Sequence, residues 1–298
     1  MTTPSTTPGP DEPAPLRPGR KLGPIADNVG SAHRYWLDPT RARYLATGRT
    51  LSDLSFRVHL AKSKLSELLR GVGHYPRWEV IHSLAGELGI PGWPLYRLWR
   101  QAALDAGKTS DWVDRSSSNA VITDPPGPPL AHGALRAIVI DDYRRYAGAF
   151  LPDDARDAAV EDTFAILWLS FDDALASPDT RRYAWEILRA TVKARADHRD
   201  HRPLLAKAAF ETVALHRQTT LEGEMAQLAE SLELFAAISR LPDAQLDVIV
   251  LRRLCGFSAA KVSDLLGIPL AAVRSDERHA IRFLEDTIEL PDTGGTTP

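Results

Sequence analysis

An all-α fold is predicted by three observations. Ala, Leu and Arg are abundant, and runs of alternating β-branched residues are few. Apolar residues recur at helical spacing in three separate stretches, 51–69, 160–171 and 246–284. Glycine, serine and proline punctuate these stretches at helix-length intervals. With 298 residues, the chain has room for two or three small domains.

The net charge of −3 is unremarkable, but its distribution is uneven. Residues 34–108 carry 12 Lys and Arg against 6 Asp and Glu, a net +6; residues 204–298 carry 9 against 14, a net −5. A basic module is thus joined to acidic ones, and local charge rather than pI governs binding. The single cysteine, Cys255, excludes an internal disulfide framework and sits at the end of an apolar helix, where a buried structural thiol is expected. No stretch approaches the roughly 20 apolar residues of a membrane span, and no signal-peptide pattern is visible, so a cytoplasmic protein without membrane contact is expected.

Residues 1–33, rich in Pro, Thr and Gly, are expected to be a disordered tail. The first domain is expected over 34–108. Leu51, Leu54 and Val58 mark one helix face, and Leu65, Leu68 and Leu69 the next. Gly71 and Gly73 end that helix, and Pro76 starts another at Arg77-Trp78. Lys62, Ser63, Lys64, Ser66 and Arg70 are left on the outer side of the second helix. Short polar side chains and lysines at a helix N-terminus suit phosphate and base-edge contact. A solvated bundle face is the alternative, and the +6 charge favours DNA. Trp78, Trp93 and Trp99 are assigned to packing.

The run SKLSELLRGVGHYPRWE and the leucines before it resemble the XRE (phage-repressor-like) helix-turn-helix family of actinobacterial regulators, from Leu51 to Glu79 and on to about Ala106. The resemblance implies a small helical DNA-binding domain. His59 stands where that family usually has glycine, and Ala61 where it usually has a capping Ser or Thr. Loss of such a cap costs about 1 kcal/mol.

A linker is expected over 109–130, where SSSN and PPGPP read as stiff and extended. In the middle segment, 131–203, Val160, Phe164, Leu167, Trp168 and Phe171 form an apolar helix face. The acidic residues around it, from Asp153 to Asp162, lack metal-ligand spacing and suit the start of a helix. Residues 181–203 then hold seven Lys and Arg against three acids. Tyr183, Trp185, Arg189 and Lys193 interleave aromatic and basic side chains. Aromatic faces stack unpaired bases, worth about 1–3 kcal/mol per base, while cations hold the backbone. Tyr183 and Trp185 are two apart and cannot share a helix face, so at least one belongs to the core.

The final domain is expected over 235–290, after a helical connector (204–234) and before a disordered tail (291–298). Its first helix opens at Leu241-Pro242 and stops at Gly256; Ser258 caps the second; Gly267-Ile268-Pro269 makes a turn; the third runs from about Leu270 to Leu284. This is a helix-turn-helix pattern. On the third helix Arg274, Arg278 and Arg282 form a guanidinium stripe, with Ser275 one step round. Such a stripe can reach guanines or phosphates in a major groove; basic residues late in a helix also suit its dipole. Asp276 and Glu277 add negative charge beside it.

Over nearly 50 positions this segment resembles the promoter-reading region four of the sigma-70 family. With that resemblance downstream, VEDTFAILW resembles the region-two helix that binds the β′ clamp helices of RNA polymerase, and YAWEILRATVKAR the melting and promoter-reading helix after it. The resemblance implies a polymerase-binding role for Glu161, Asp162, Phe164 and Trp168. It implies promoter strand capture by Tyr183, Trp185, Arg189 and Lys193.

The expected whole is an XRE-type domain joined to an extracytoplasmic-function-like sigma core. Its partners would be double-stranded promoter DNA, bacterial core RNA polymerase and, as the family admits, an anti-sigma factor. The first domain either tethers the core at chosen promoters or folds back and inhibits it. The alternative is a sigma-derived activator or repressor that binds DNA without initiating. No catalytic residue, cofactor or metal is expected, since the chain lacks a phosphate-binding glycine loop, a metal-ligand cluster and a nucleophile elbow.

Overall fold

The computed structural model describes residues 22–118, 127–205 and 233–287. It is all-α apart from one two-stranded hairpin among these residues. The expectations for residues 1–21, for 119–126 of the linker, for 206–232 and for 288–298 lie outside the described residues.

The first unit contains α1 (Ser31–Ala46), α2 (Leu51–Arg57), α3 (Lys62–Leu69), α4 (Trp78–Leu88), α5 (Gly92–Asp105) and α6 (Ser110–Ser117). Thr50 caps α2 by accepting from the Asp53 amide. The turn into α3 carries both departures noted above. His59 takes a φ of 50°, the left-handed region where glycine sits without strain. Ala61 occupies the N-cap of α3 without a side-chain hydrogen bond. Gly71 is required: at φ 66°, an added Cβ would meet Val29 Cγ2 at 2.5 Å.

Two expected boundaries are corrected. The tail does not extend to residue 33, because Leu22, Ile25 and Ala26 pack on this core and Arg41 Nη2 donates to the Gly23 carbonyl at 2.6 Å. Apolar Leu22, Ile25 and Val29 are the sequence signal for this. The linker does not begin at 109, because α6 packs back on the domain: Val113 is buried, and Ser116 Oγ accepts from the Trp78 amide at 2.7 Å, capping α4 from another helix. Trp36, Trp78 and Trp99 are fully buried, and Trp36 Nε1–H donates to Tyr75 Oη, which donates to the Trp99 carbonyl.

The second unit contains α7 (Leu130–Gly148), α8 (Asp153–Leu169), α9 (Phe171–Ala176) and α10 (Thr180–Lys193). Its core is Tyr143, Phe164, Leu167, Phe171, Trp185 and Leu188. A hairpin follows, with β1 (His198–Arg199) antiparallel to β2 (Arg202–Pro203).

The third unit contains α11 (Asp243–Ile249), a π-helical turn (Val250–Leu254), α12 (Ala259–Leu266) and α13 (Leu270–Thr287). Gly256 has φ 71°, Ser258 caps α12 through the Lys261 amide, and Gly267 has φ 62° in the turn before α13. Cys255 is half-buried, and burial pushes its thiol up to about 12, as a structural cysteine requires.

The units are not beads on a string. The second and third share one continuous hydrophobic core, and Ala165, Ile166 and Leu169 of α8 pack into the core of the first.

Candidate nucleic-acid interfaces and the junctions behind them

The outer face of α13 is built by its inner one. Val273 and Ala280 are buried, which turns Arg274, Arg278 and Arg282 outward, and all three are exposed. None of them forms an ion pair among the described residues. Glu277 does not share their face. Its side chain is 13% exposed and is held by Arg252 at 3.2 Å and Arg253 at 3.1 Å. Of the two acids expected beside the stripe, Glu277 is therefore drawn into the domain, and helical spacing sets half-buried Asp276 on the side away from the arginines, with half-buried Ser275 at the stripe's edge. A row of unpaired guanidinium groups on one helix face can neutralise phosphates and fork onto guanine edges.

The second outward surface is α3. Lys62, Ser63 and Lys64 are exposed at its start; Ser66 and Arg70 are half-buried. Lys64 pairs with Glu67 at 2.8 Å, an exposed contact of small energetic weight. Arg70 Nε donates to the Pro24 carbonyl at 3.4 Å and so lies against the N-terminal segment.

The strand-capture candidates are placed differently. Trp185, Arg189 and Lys193 follow one another at i, i+4 and i+8 on α10, and that stripe faces α11. Trp185 is 2% exposed, and its Nε1–H donates to Asp247 Oδ2 at 2.8 Å. Arg189 Nη1 donates to the same oxygen at 3.1 Å, and Lys193 Nζ donates to Asp243 Oδ1 at 2.5 Å. Tyr146 Oη donates to Asp247 Oδ1 at 2.6 Å. Asp247 is 1% exposed. Burial pushes its carboxyl up, and Arg189 and the two neutral donors pull it back down. Tyr183 is half-buried on the other side of α10. Core membership thus falls to Trp185.

The junction is extended by the turn before α13. A Cβ on Gly267 would meet Asp179 Oδ1 at 2.5 Å and the Arg182 amide nitrogen at 2.8 Å. Lys261 on α12 reaches Asp142 on α7 at 2.6 Å.

The polymerase-binding candidates on α8 divide into three environments. Phe164 is a core residue stacked on Tyr143. Glu161 pairs with Arg136 of α7. Asp162 and Trp168 face the first unit. Asp162 is 1% exposed and accepts from Arg97 Nε on α5 at 2.6 Å, while Arg195 holds its other oxygen. Trp168 lies 6.2 Å from the Trp93 ring.

Sequence reasoning missed Asp247, Arg97 and the second face of α8. The signals were present: an acid inside the apolar run LDVIVL, and a helix, AILWL, too apolar to have only one covered side.

Among the described residues, no group of three or more His, Cys, Asp and Glu is arranged to hold a metal ion, and no helix is long and apolar enough to cross a membrane. Comparison with known families matches residues 231–284 to the model of sigma-70, region 4. Comparison with curated proteins finds no match for the chain. The matched span contains α11, the π turn, α12 and nearly all of α13, including the arginine stripe.

Proposed function

We propose that this chain, with a sigma-70 region 4 domain at 231–284, is a sigma-like promoter-recognition subunit of bacterial RNA polymerase with an additional N-terminal DNA-binding domain. The observation that carries the reading is the exposed, unpaired stripe Arg274, Arg278 and Arg282 on the last helix of that domain. In this reading α13 enters a major groove of promoter DNA, with Ser275 at its edge. The N-terminal domain adds a second contact through Lys62, Ser63, Lys64, Ser66 and Arg70 on α3. Asp162 and Trp168 serve polymerase binding through one face of α8, with Glu161 near its edge, while Phe164, expected beside them, builds the core behind that face. Tyr183, Trp185, Arg189 and Lys193 hold the opened strand once α11, which engages the last three here, is released from α10. Polymerase supplies the chemistry of RNA synthesis.

A second reading is a sigma-derived regulator that binds DNA without starting transcription. It is favoured by one observation: both helix-turn-helix faces point outward, while Trp185, Arg189 and Lys193 are engaged by α11.

Transcription in vitro separates the two. Purified protein is added to core RNA polymerase with a library of genomic fragments, and start sites are sequenced. Defined new start sites, lost when Arg274, Arg278 and Arg282 are replaced by Ala, support the sigma reading. DNA binding by the protein without new start sites leaves the regulator.

A further inference from the structure

We propose that the chain masks itself: the N-terminal domain occupies the face of α8 that a polymerase helix would need, and the Arg97–Asp162 pair is the latch. This rests on the reading of α8 as the polymerase-binding helix. One side of α8, through Val160, Phe164 and Leu167, builds the core of the second unit. The other side carries Ala158, Asp162, Ala165, Ile166 and Leu169, spaced i, i+4, i+7, i+8 and i+11. A helix apolar on both sides needs two covers, and here the second cover is α5.

The seam has the chemistry of a helix docked in a groove. At its centre Arg97 Nε donates to Asp162 Oδ1 at 2.6 Å, and Nη2 donates to the Ala158 carbonyl at 3.3 Å. At its edge Trp93 lies against Trp168. Tyr35 Oη donates to the Ala190 carbonyl on α10 at 3.4 Å, and Arg43 approaches Asp172 on α9 at 3.8 Å.

Two features mark this cover as exchangeable. Its centre is an ion pair, which specifies a partner but contributes little net stability compared with apolar packing of the same size. Its aromatic edge is open, with Trp93 45% exposed. Another helix presenting a guanidinium to Asp162 and an apolar side chain to Trp168 would satisfy the same surface. It would have to displace α5 first.

The test uses the full chain. Wild type and Trp93→Ala/Arg97→Ala, both changes lying outside α8, are titrated against purified core RNA polymerase. If the open form is about 1–10% populated, unmasking tightens binding by about 10–100-fold. Equal affinity of the two proteins overturns the masking and leaves the polymerase reading intact. Binding by neither overturns the polymerase reading, and the masking with it. Arg97→Ala strips a partner from buried Asp162 and can unfold the chain. Trp93→Glu alone keeps the ion pair, alters a partly exposed ring, and decides the matter by the same tighter-or-equal comparison, with a melting curve as the folding control.

Discussion

The indole of Trp185 on α10 donates to the carboxylate of Asp247 on α11 at 2.8 Å, joining helices whose contacting residues are 62 apart in sequence. The same carboxylate takes Tyr146 Oη and Arg189 Nη1, so two neutral donors and one cation converge on a single buried acid. A side chain read as a stacking platform is, in this conformation, a structural donor.

Asp247→Ala should therefore be costly. It leaves Arg189 without its partner and two buried donors unpaired, and breaking a buried pair from one side costs about 3–5 kcal/mol. Asp247→Asn keeps an acceptor and should lose less. Urea unfolding at neutral pH measures both; equal and small losses would mean that the junction is not held by this group.

Gly267 and Gly89 form a matched pair for testing the junction between the second and third units. Both are left-handed, at φ 62° and 64°, but only Gly267 is pressed against Asp179 and Arg182. Gly89→Ala should cost about 1–2 kcal/mol, the ordinary penalty of that conformation. Gly267→Ala should cost more, because α10 must also move. Similar losses in thermal melts of the two variants would contradict tight packing between the second and third units.

Stability should depend on His33 in mildly acidic solution. This imidazole stacks on Trp36, and burial lowers it from 6.5 to about 4. The unfolded chain therefore takes up the proton first. Stability is intact above about pH 7, falls as pH drops from 6.5 towards 4, and levels off below. At 1.36 kcal/mol per unit, discounted for the ring's partial exposure, the loss is about 1–2 kcal/mol. His33→Phe should flatten that part of the profile. Denaturant midpoints for both proteins between pH 4 and 8 supply the comparison.

The turn before α3 should be improvable. Ala61 has the extended backbone of an N-cap but no oxygen, so Ala61→Thr should add about 1 kcal/mol. His59→Gly should relieve left-handed strain of about 1 kcal/mol. A melting temperature unchanged by either substitution would show that this turn relaxes without them.

Replacing Arg274, Arg278 and Arg282 together by Ala should leave the fold unchanged, since exposed substitutions stay within about 0.5 kcal/mol each. DNA affinity should fall, and the salt slope should lose about 0.9 per phosphate contact removed. Titrations at several salt concentrations read that slope. An unaltered slope would place the DNA contact elsewhere.

Local chemistry made the third unit readable. Gly256, Ser258 and the Gly267 turn act within a few residues, and each is found in its expected role. The α2–α3 turn was legible for the same reason, down to its uncapped Ala61. Other features depended on partners distant in sequence. Residues 110–117 look like linker by their serines, yet Ser116 caps α4 from 38 residues away. Trp93 was assigned to packing, and its partner, Trp168, lies in another unit.

The sequence by itself determined an all-α chain, the helix-turn-helix of the third unit and its outward arginine stripe, because helical period and caps are set by neighbours within one or two turns. Only the tertiary structure decided that Asp162 and Asp247 are buried, that α8 has two covers, and that Trp185 faces inward. A polar side chain is buried only if another segment brings it a partner. Here those partners, Arg97 for Asp162 and Trp185 and Arg189 for Asp247, lie on other helices, where spacing along the chain carries no record of them.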